Sequence, residues 1–270
     1  MPTVTDLQQK AGSEPITMLT AYDAPTAAIV DEAGIDVVLV GDSVGNASLG
    51  YETTIPVTLE EIESHTAAVA RGVEDALVVA DMPFLSVGVE RSQSVENAGR
   101  MLKEADADAV KIESGPHTVS LTDRLTDLGV PVMAHLGLTP QRVKQLGGYA
   151  RQGTTTEAAE EMLDLARDHA AAGAFALVLE HVPANVAAEI TAAIDVPTIG
   201  IGAGPETDGQ VLVVTDVLGL SDRSPPFAKQ FGDVRAEMES AIADYRDAVE
   251  AGEFPSSEHS HEEEDLGDLY

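Results

Sequence analysis

No cysteine occurs among the 270 residues, which excludes disulfides, zinc-thiolate sites and thiol nucleophiles. Basic residues are scarce: 15 lysines and arginines face 47 aspartates and glutamates, for a net charge of −32. A field of that sign repels phosphate backbones and makes nucleic acid a poor partner. Lysine stands only at positions 10, 103, 111, 144 and 229. Hydrophobic residues make up an ordinary 44%, so the acidity belongs to the surface. That combination predicts adaptation to high salt, where dense counterions screen self-repulsion, and hence a halophilic source. No apolar run approaches the roughly 18 residues of a membrane span. Met1 to Lys10 also lacks the basic and apolar pattern of a signal peptide. A soluble, cytoplasmic protein with no membrane partner is expected.

Against this background one lysine is misplaced. Ala109 to Gly115 reads Ala-Val-Lys-Ile-Glu-Ser-Gly. A strand alternates its faces, so Lys111 and Glu113 point one way while Val110 and Ile112 point the other. A cation and an anion inside an apolar strand are costly unless they meet each other or something else there. They form either a structural ion pair or part of a site.

The rest of the chain repeats one unit. Apolar strands are predicted at Ile16 to Tyr22, Val37 to Asp42, Ala76 to Asp81, Ala109 to Glu113, Pro131 to His135, Phe175 to Glu180 and Thr198 to Gly204. Helices alternate with them, the first capped by Asp23 and another opened by a Thr58 and Glu61 capping box. Long loops follow at Val44 to Pro56 and after His135 through Gly147-Gly148-Tyr149. Gln210 to Leu220 fits a strand or a buried helix, because periodicity does not separate the two in short apolar runs. Asp233 to Ala251 is amphipathic, and Ser256 to Tyr270 is an acidic stretch expected to be a mobile tail. Strict alternation over this length predicts an α/β fold, a single (β/α)8 TIM barrel over residues 1–255 with a short leading helix. A doubly wound open sheet is the alternative. No Gly-x-Gly-x-x-Gly follows the first strand, which argues against its dinucleotide-binding form.

In such a barrel chemistry sits at the C-terminal strand ends. Here successive strands end in Asp42, Asp81, Glu113, His135 and Glu180. Four carboxylates beside one lysine cannot all stay ionised in a closed space, so some are protonated or a cation is present. An all-oxygen donor set favours a hard metal, Mg²⁺ first, and Asp42, Asp81 and Glu113 are placed to share it. His135 fits a site or a satisfied core histidine, Glu180 a functional group or a solvated strand end. His65 and His181 are expected to be structural or surface groups. The Gly200 to Gly204 turn fits phosphate cradling or merely a tight turn.

Val40-Gly41-Asp42-Ser43, Ala80-Asp81-Met82-Pro83-Phe84, Val110-Lys111-Ile112-Glu113, His135-Leu136-Gly137-Leu138-Thr139-Pro140-Gln141, Gly147-Gly148-Tyr149 and Gly200-Ile201-Gly202-Ala203-Gly204 together resemble the 3-methyl-2-oxobutanoate (ketopantoate) hydroxymethyltransferase family, here of a halophilic archaeal type. The resemblance runs from about Thr17 to Pro255 with the motifs in order. It implies a (β/α)8 enzyme that moves a one-carbon unit from 5,10-methylenetetrahydrofolate, or a modified pterin, to 3-methyl-2-oxobutanoate in pantothenate and coenzyme A biosynthesis. It further implies Mg²⁺ on Asp42 and Asp81, with Glu113 completing the site directly or through water. Ser43 and Lys111 match positions that hold the 2-oxo acid, His135 is placed near the nascent hydroxymethyl group or the folate, and Glu180 matches the general base. A ring-type homo-oligomer, with a decamer as one form, is implied as well.

Three competing readings carry their own signals. A metal-dependent 2-oxo acid lyase of the phosphoenolpyruvate and pyruvate barrels shares the metal site, but the isocitrate-lyase type uses a cysteine that this chain lacks. A Schiff-base aldolase would act through Lys111. A non-catalytic 2-oxo acid sensor would need no base at Glu180.

Overall fold

The computed structural model describes residues 3–222 and 224–261. Eight strands run in parallel: β1 (Ile16–Thr20), β2 (Val37–Val40), β3 (Leu77–Asp81), β4 (Ala109–Glu113), β5 (Val132–Gly137), β6 (Ala176–Glu180), β7 (Thr198–Ile201) and β8 (Gly209–Leu212). They pair in chain order, and β8 closes on β1. Helix α1 (Val4–Lys10) precedes the barrel. After it come α2 (Ala24–Glu32), α3 (Val44–Ala47), α4 (Leu59–Ala70), α5 (Arg91–Lys103), α6 (Val119–Asp127), α7 (Val143–Leu146), α8 (Thr156–Ala171), α9 (Ala184–Ala193), α10 (Val214–Val217) and α11 (Val234–Glu250). The closed eight-stranded barrel is the predicted fold. No helix of the described residues is long and apolar enough to cross a membrane.

Helix starts follow their caps. Asp23 accepts the Thr26 N–H at 2.8 Å. Thr58 accepts the Glu61 N–H at 3.2 Å, while Glu61 accepts the Thr58 N–H at 2.7 Å, closing the predicted capping box. The two long loops differ from expectation by each containing a short helix, α3 in one and a 3₁₀ turn (Pro140–Arg142) leading into α7 in the other. The ambiguous run 210–220 is strand and helix in succession, β8 and then α10.

Every strand of β2 to β6 is almost wholly buried, as expected where helices cover the outside and side chains fill the inside. Ile16, Met18, Leu39, Val79, Met133, Val178 and Ile199 pack together with Leu7 of α1 and with Phe175. A separate cluster joins β5 and β6 to α8 and α9 through Leu136, Leu177, Leu179, Val186 and Ile190, and a third joins β2 and β3 to α2 and α4 through Val30, Val38, Val40 and Val69.

Four aspartates stitch the N-terminal edge of the barrel. Asp36 accepts the Thr17 N–H at 2.9 Å, Asp108 that of Val78 at 2.8 Å and Asp208 that of Thr198 at 2.8 Å. Each is the last or nearly the last residue before its own strand and reaches the start of the neighbouring one. Asp31 accepts the backbone N–H groups of Glu74 and Ala76 ahead of β3. Acids at this end satisfy backbone donors of the neighbouring strands, whereas those at the opposite rim meet fewer of them.

By compactness the chain divides into a barrel unit, residues 1–214 with 225–228, and a smaller unit, residues 215–224 with 229–270. In the smaller unit the Val234 N–H donates to the Leu218 carbonyl at 2.9 Å. Helix α11 buries none of its residues. Met238, Ile242, Tyr245 and Val249, spaced 4, 3 and 4 apart, are all exposed, which leaves one apolar face of α11 open. Ser257–His259 form a 3₁₀ turn, with His259 Nδ1 2.8 Å from Ser256 Oγ. Residues 262–270 of the predicted acidic tail lie outside the described residues.

Because Met133 is fully buried in the barrel interior, Met133→Ala is expected to lower stability by about 2–5 kcal/mol. Denaturant unfolding in concentrated KCl measures it.

Candidate active site

Register places the rim. Asp81 of β3 pairs with Lys111 of β4, Glu113 of β4 with His135 of β5, and Gly137 of β5 with Glu180 of β6. Gly137 has φ +96, and a Cβ there would lie 2.3 Å from the Glu180 carbonyl oxygen. Its lack of a side chain allows β6 to bring Glu180 this close to β5.

Lys111 stands at the centre. Its Nζ lies 2.8 Å from Asp81 Oδ2 and 3.3 Å from His135 Nδ1. Burial alone would lower the Lys111 pKa, but the Asp81, Asp42 and Glu113 charges outweigh it and the value is raised. The lysine is therefore a cation at neutral pH. Since Nζ only donates, His135 Nδ1 accepts, and the imidazole proton belongs on Nε2. Burial and the Lys111 charge push the His135 pKa well below its ordinary range, so the ring is neutral. Nε2 lies 3.1 Å from Glu180 Oε2, yet off the line a hydrogen bond requires, so it has no formed partner.

The acids divide by surroundings. Burial first, then the neighbouring Asp81 charge, raises Asp42 to about 7, with Lys111 and Gln141 opposing. Burial and Asp42 raise Glu113 well above the ordinary carboxylate range. Burial raises Glu180 to about 7, against the pull of Lys111. Asp81 accepts at Oδ2 from the Asp42 N–H at 3.2 Å, while its Oδ1 is buried without a partner. These all-oxygen donors and that orphaned oxygen fit a hard divalent cation. Among the described residues no three histidine, aspartate or glutamate side chains already form a chelating group. Glu113 instead accepts the Gln141 N–H at 3.0 and 3.2 Å.

Asp42, Asp81, Lys111, His135 and Glu180 thus share one buried neighbourhood, as their strand-end positions predict. Ser43 lies beside it, its Oγ 2.8 Å from Tyr22 Oη. His65 contacts the Tyr22 carbonyl at 2.6 Å through Nδ1, and the His181 ring packs against Phe227; both are structural, as expected. The Gly200 to Gly204 turn has a packing role. Gly202 faces the Phe227 ring, and the Gly204 carbonyl accepts from Gln210 at 3.0 Å. Sequence reasoning did not single out Tyr22, Thr54, Gln141 or Tyr149. Thr54 is buried near Asp42 and helps to lower its pKa, although its hydroxyl makes no formed hydrogen bond. Tyr149 is half exposed, and its pKa is raised by burial and by the fields of Asp42 and Glu180. Gln141 and Tyr149 stand within motifs that carry the family resemblance, which is the signal that could have found them.

The closed eight-stranded barrel is of the (β/α)8 class, and solved structures share it. A phosphoenolpyruvate phosphomutase from Streptomyces platensis superposes with a TM-score of 0.62 at 16% identity, covering 93% of this chain and 88% of that one. A 2,3-dimethylmalate lyase superposes with a TM-score of 0.56 at 17% identity, with the same coverage of 93% and 88%. At those identities the likeness extends to the fold alone. Sequence narrows the class: the model of the ketopantoate hydroxymethyltransferase family matches residues 2–257. Proteins named 3-methyl-2-oxobutanoate hydroxymethyltransferase are 70% identical in Halobacterium salinarum, over 100% of both chains, and 49% identical in Geobacter metallireducens, over 96% of this chain and 97% of that one. The chain belongs to the ketopantoate hydroxymethyltransferase family and is, with it, an enzyme of the transferase class.

Glu180 has a folded-state value of about 7 against an ordinary 4.5. The folded chain therefore holds a proton that the unfolded chain has lost between those pH values, and stability falls as pH rises through that window. Glu180→Gln is expected to remove this share, up to about 3 kcal/mol. Unfolding of wild type and variant at pH 5 and pH 8 with chelator present measures it; equal slopes would refute the assignment.

Proposed function

We propose that this protein transfers a hydroxymethyl group from 5,10-methylenetetrahydrofolate, or a modified pterin of the same chemistry, to 3-methyl-2-oxobutanoate. The product is 2-dehydropantoate, for pantothenate and coenzyme A biosynthesis in the cytoplasm. The observation that carries the reading is Glu180. This carboxylate has a value near 7 and stands beside a neutral imidazole and a charged lysine, in a chain 70% identical over its full length to proteins named for this reaction.

A Mg²⁺ on Asp42 and Asp81, with Glu113 joining directly or through water, would stabilise negative charge on the keto and carboxylate oxygens of the 2-oxo acid as a Lewis acid. The protein's own groups do the rest. Lys111 supplies a fixed positive charge for the substrate carboxylate, and Ser43, oriented by Tyr22, supplies a hydroxyl. Glu180 takes the C3 proton, and a value near neutrality lets it both accept and release that proton. Water releases the one-carbon unit of the donor at the formaldehyde level as tetrahydrofolate leaves. The C3 carbon nucleophile attacks that carbon, and the oxygen from water takes the proton held by Glu180 to become the new hydroxyl. The unpartnered Nε2–H of His135 is available to the new hydroxyl.

A Schiff base at Lys111 is disfavoured because its amine is held protonated against Asp81. A lyase of the cysteine-using type lacks its cysteine. A sensor has no use for a carboxylate tuned to neutrality.

A homo-oligomer of ring type, such as a decamer, is part of the proposal. The open apolar face of α11 supports it. So does the barrel flank at β1 and β8, where Thr17 and Gln210 are exposed beside a hollow of about 910 Å³. With a charge of −32 per chain, association requires salt to screen repulsion.

In D₂O with Mg²⁺ and concentrated KCl, the protein is expected to exchange the C3 proton of 3-methyl-2-oxobutanoate, read by NMR. Glu180→Gln should slow exchange by about 10²–10⁴-fold. Undiminished exchange in that variant would remove Glu180 as the base. Ile242→Asp is expected to reduce the mass seen by light scattering in KCl; an unchanged mass would argue against α11 as the contact.

A further inference from the structure

Gln141 touches three strand ends at once. It sits on the 3₁₀ turn after β5. Its side-chain Nε2 donates to Asp42 Oδ2 beyond β2 at 2.9 Å and to the carbonyl of Met82 beyond β3 at 2.9 Å. Its backbone N–H donates to both oxygens of Glu113 at the end of β4, at 3.0 and 3.2 Å. Both hydrogens of the amide are thereby used, and they fix its orientation: nitrogen toward Asp42, because a carboxylate and a carbonyl can only accept. The Pro140 ring before it removes a donor and restricts the turn's backbone.

The consequence lies in which lone pairs remain. Asp42 Oδ2 is held by the amide, which orients the carboxylate, and Thr54 stands close to the same side chain. Asp81 has Oδ2 engaged and Oδ1 unpartnered. Two buried acids at adjacent strand ends thus each have one oxygen fixed by the protein, and Asp81 carries one left over. Outer hydrogen bonds of this kind set the direction and basicity of metal-binding carboxylates. Glu113 is held by the same residue, so an approaching cation must draw it away from the Gln141 N–H or reach it through water.

We propose that Gln141 is the positioning residue of the divalent-cation site, its amide orienting Asp42 and its backbone N–H holding Glu113 in reserve. The inference rests on the reading of Asp42 and Asp81 as cation ligands. It assigns Gln141 no contact with substrate and no part in proton transfer.

Gln141→Met keeps the length and volume of the side chain and removes both amide donors, while the backbone N–H to Glu113 stays. The test is Mn²⁺ titration of the full chain in concentrated KCl, with free Mn²⁺ read by electron paramagnetic resonance and no substrate present. The variant is expected to bind Mn²⁺ about 10–100-fold more weakly than the wild type, while still unfolding cooperatively in chelator with a lowered melting temperature, since two acceptors lose their donor. Gln141→Leu serves as a second variant, with the same expectation, should the methionine fail to fold. Wild-type binding of one Mn²⁺ with equal affinity in a folded variant overturns the role of Gln141 alone. No Mn²⁺ binding by the wild type overturns the cation reading itself, and the positioning role with it.

Discussion

The Lys111–Asp81 contact is the constraint on which the rim depends. A lysine that is 4% exposed cannot remain charged without an anion against it. Asp81 at 2.8 Å supplies that anion and accepts the Asp42 N–H with the same oxygen. Lys111 then fixes the tautomer of His135, which in turn turns its protonated nitrogen toward Glu180. One ion pair therefore sets a chain of roles across β3, β4, β5 and β6. It leaves Asp42, Glu113 and Glu180 without a full counter-charge, so burial, with the neighbouring acids, raises their pKa values against the pull of Lys111. An ordinary core would avoid this excess of acids, so the rim is built for something other than packing.

The two ends of the barrel treat the same residue type in opposite ways. At the N-terminal edge Asp36, Asp108 and Asp208 accept backbone N–H groups from neighbouring strands and reinforce the closure. At the C-terminal rim the backbone supplies fewer donors. There Gln141 takes their place for Asp42 and Glu113. Stability and chemistry thus occupy separate faces, and substitution of an aspartate has a different meaning at each.

Much of the arrangement was legible from the chain. Strand ends in Asp42, Asp81, Glu113, His135 and Glu180 fell on one rim because parallel strands in order place their C-termini together. The short helices inside the two long loops were not legible, since α3 and α7 are four residues each and too short to show a period. Run 210–220 stayed ambiguous for the same reason. The aspartate stitches were invisible because each accepts from backbone, which no residue identity reports.

The sequence by itself determined the alternation that makes a barrel, the acidic surface, the absence of thiol chemistry and the residue types at the strand ends. These are local properties, written in periodicity and composition. Only the tertiary structure decided which oxygen of Asp81 is left unpartnered, that Glu113 rests on a backbone N–H, and that Tyr22 meets Ser43. Gln141 and Asp42 lie 99 positions apart in sequence. Their contact exists only because closing eight strands into a ring brings the turn after β5 across to the end of β2, and pattern along a chain carries no such distance.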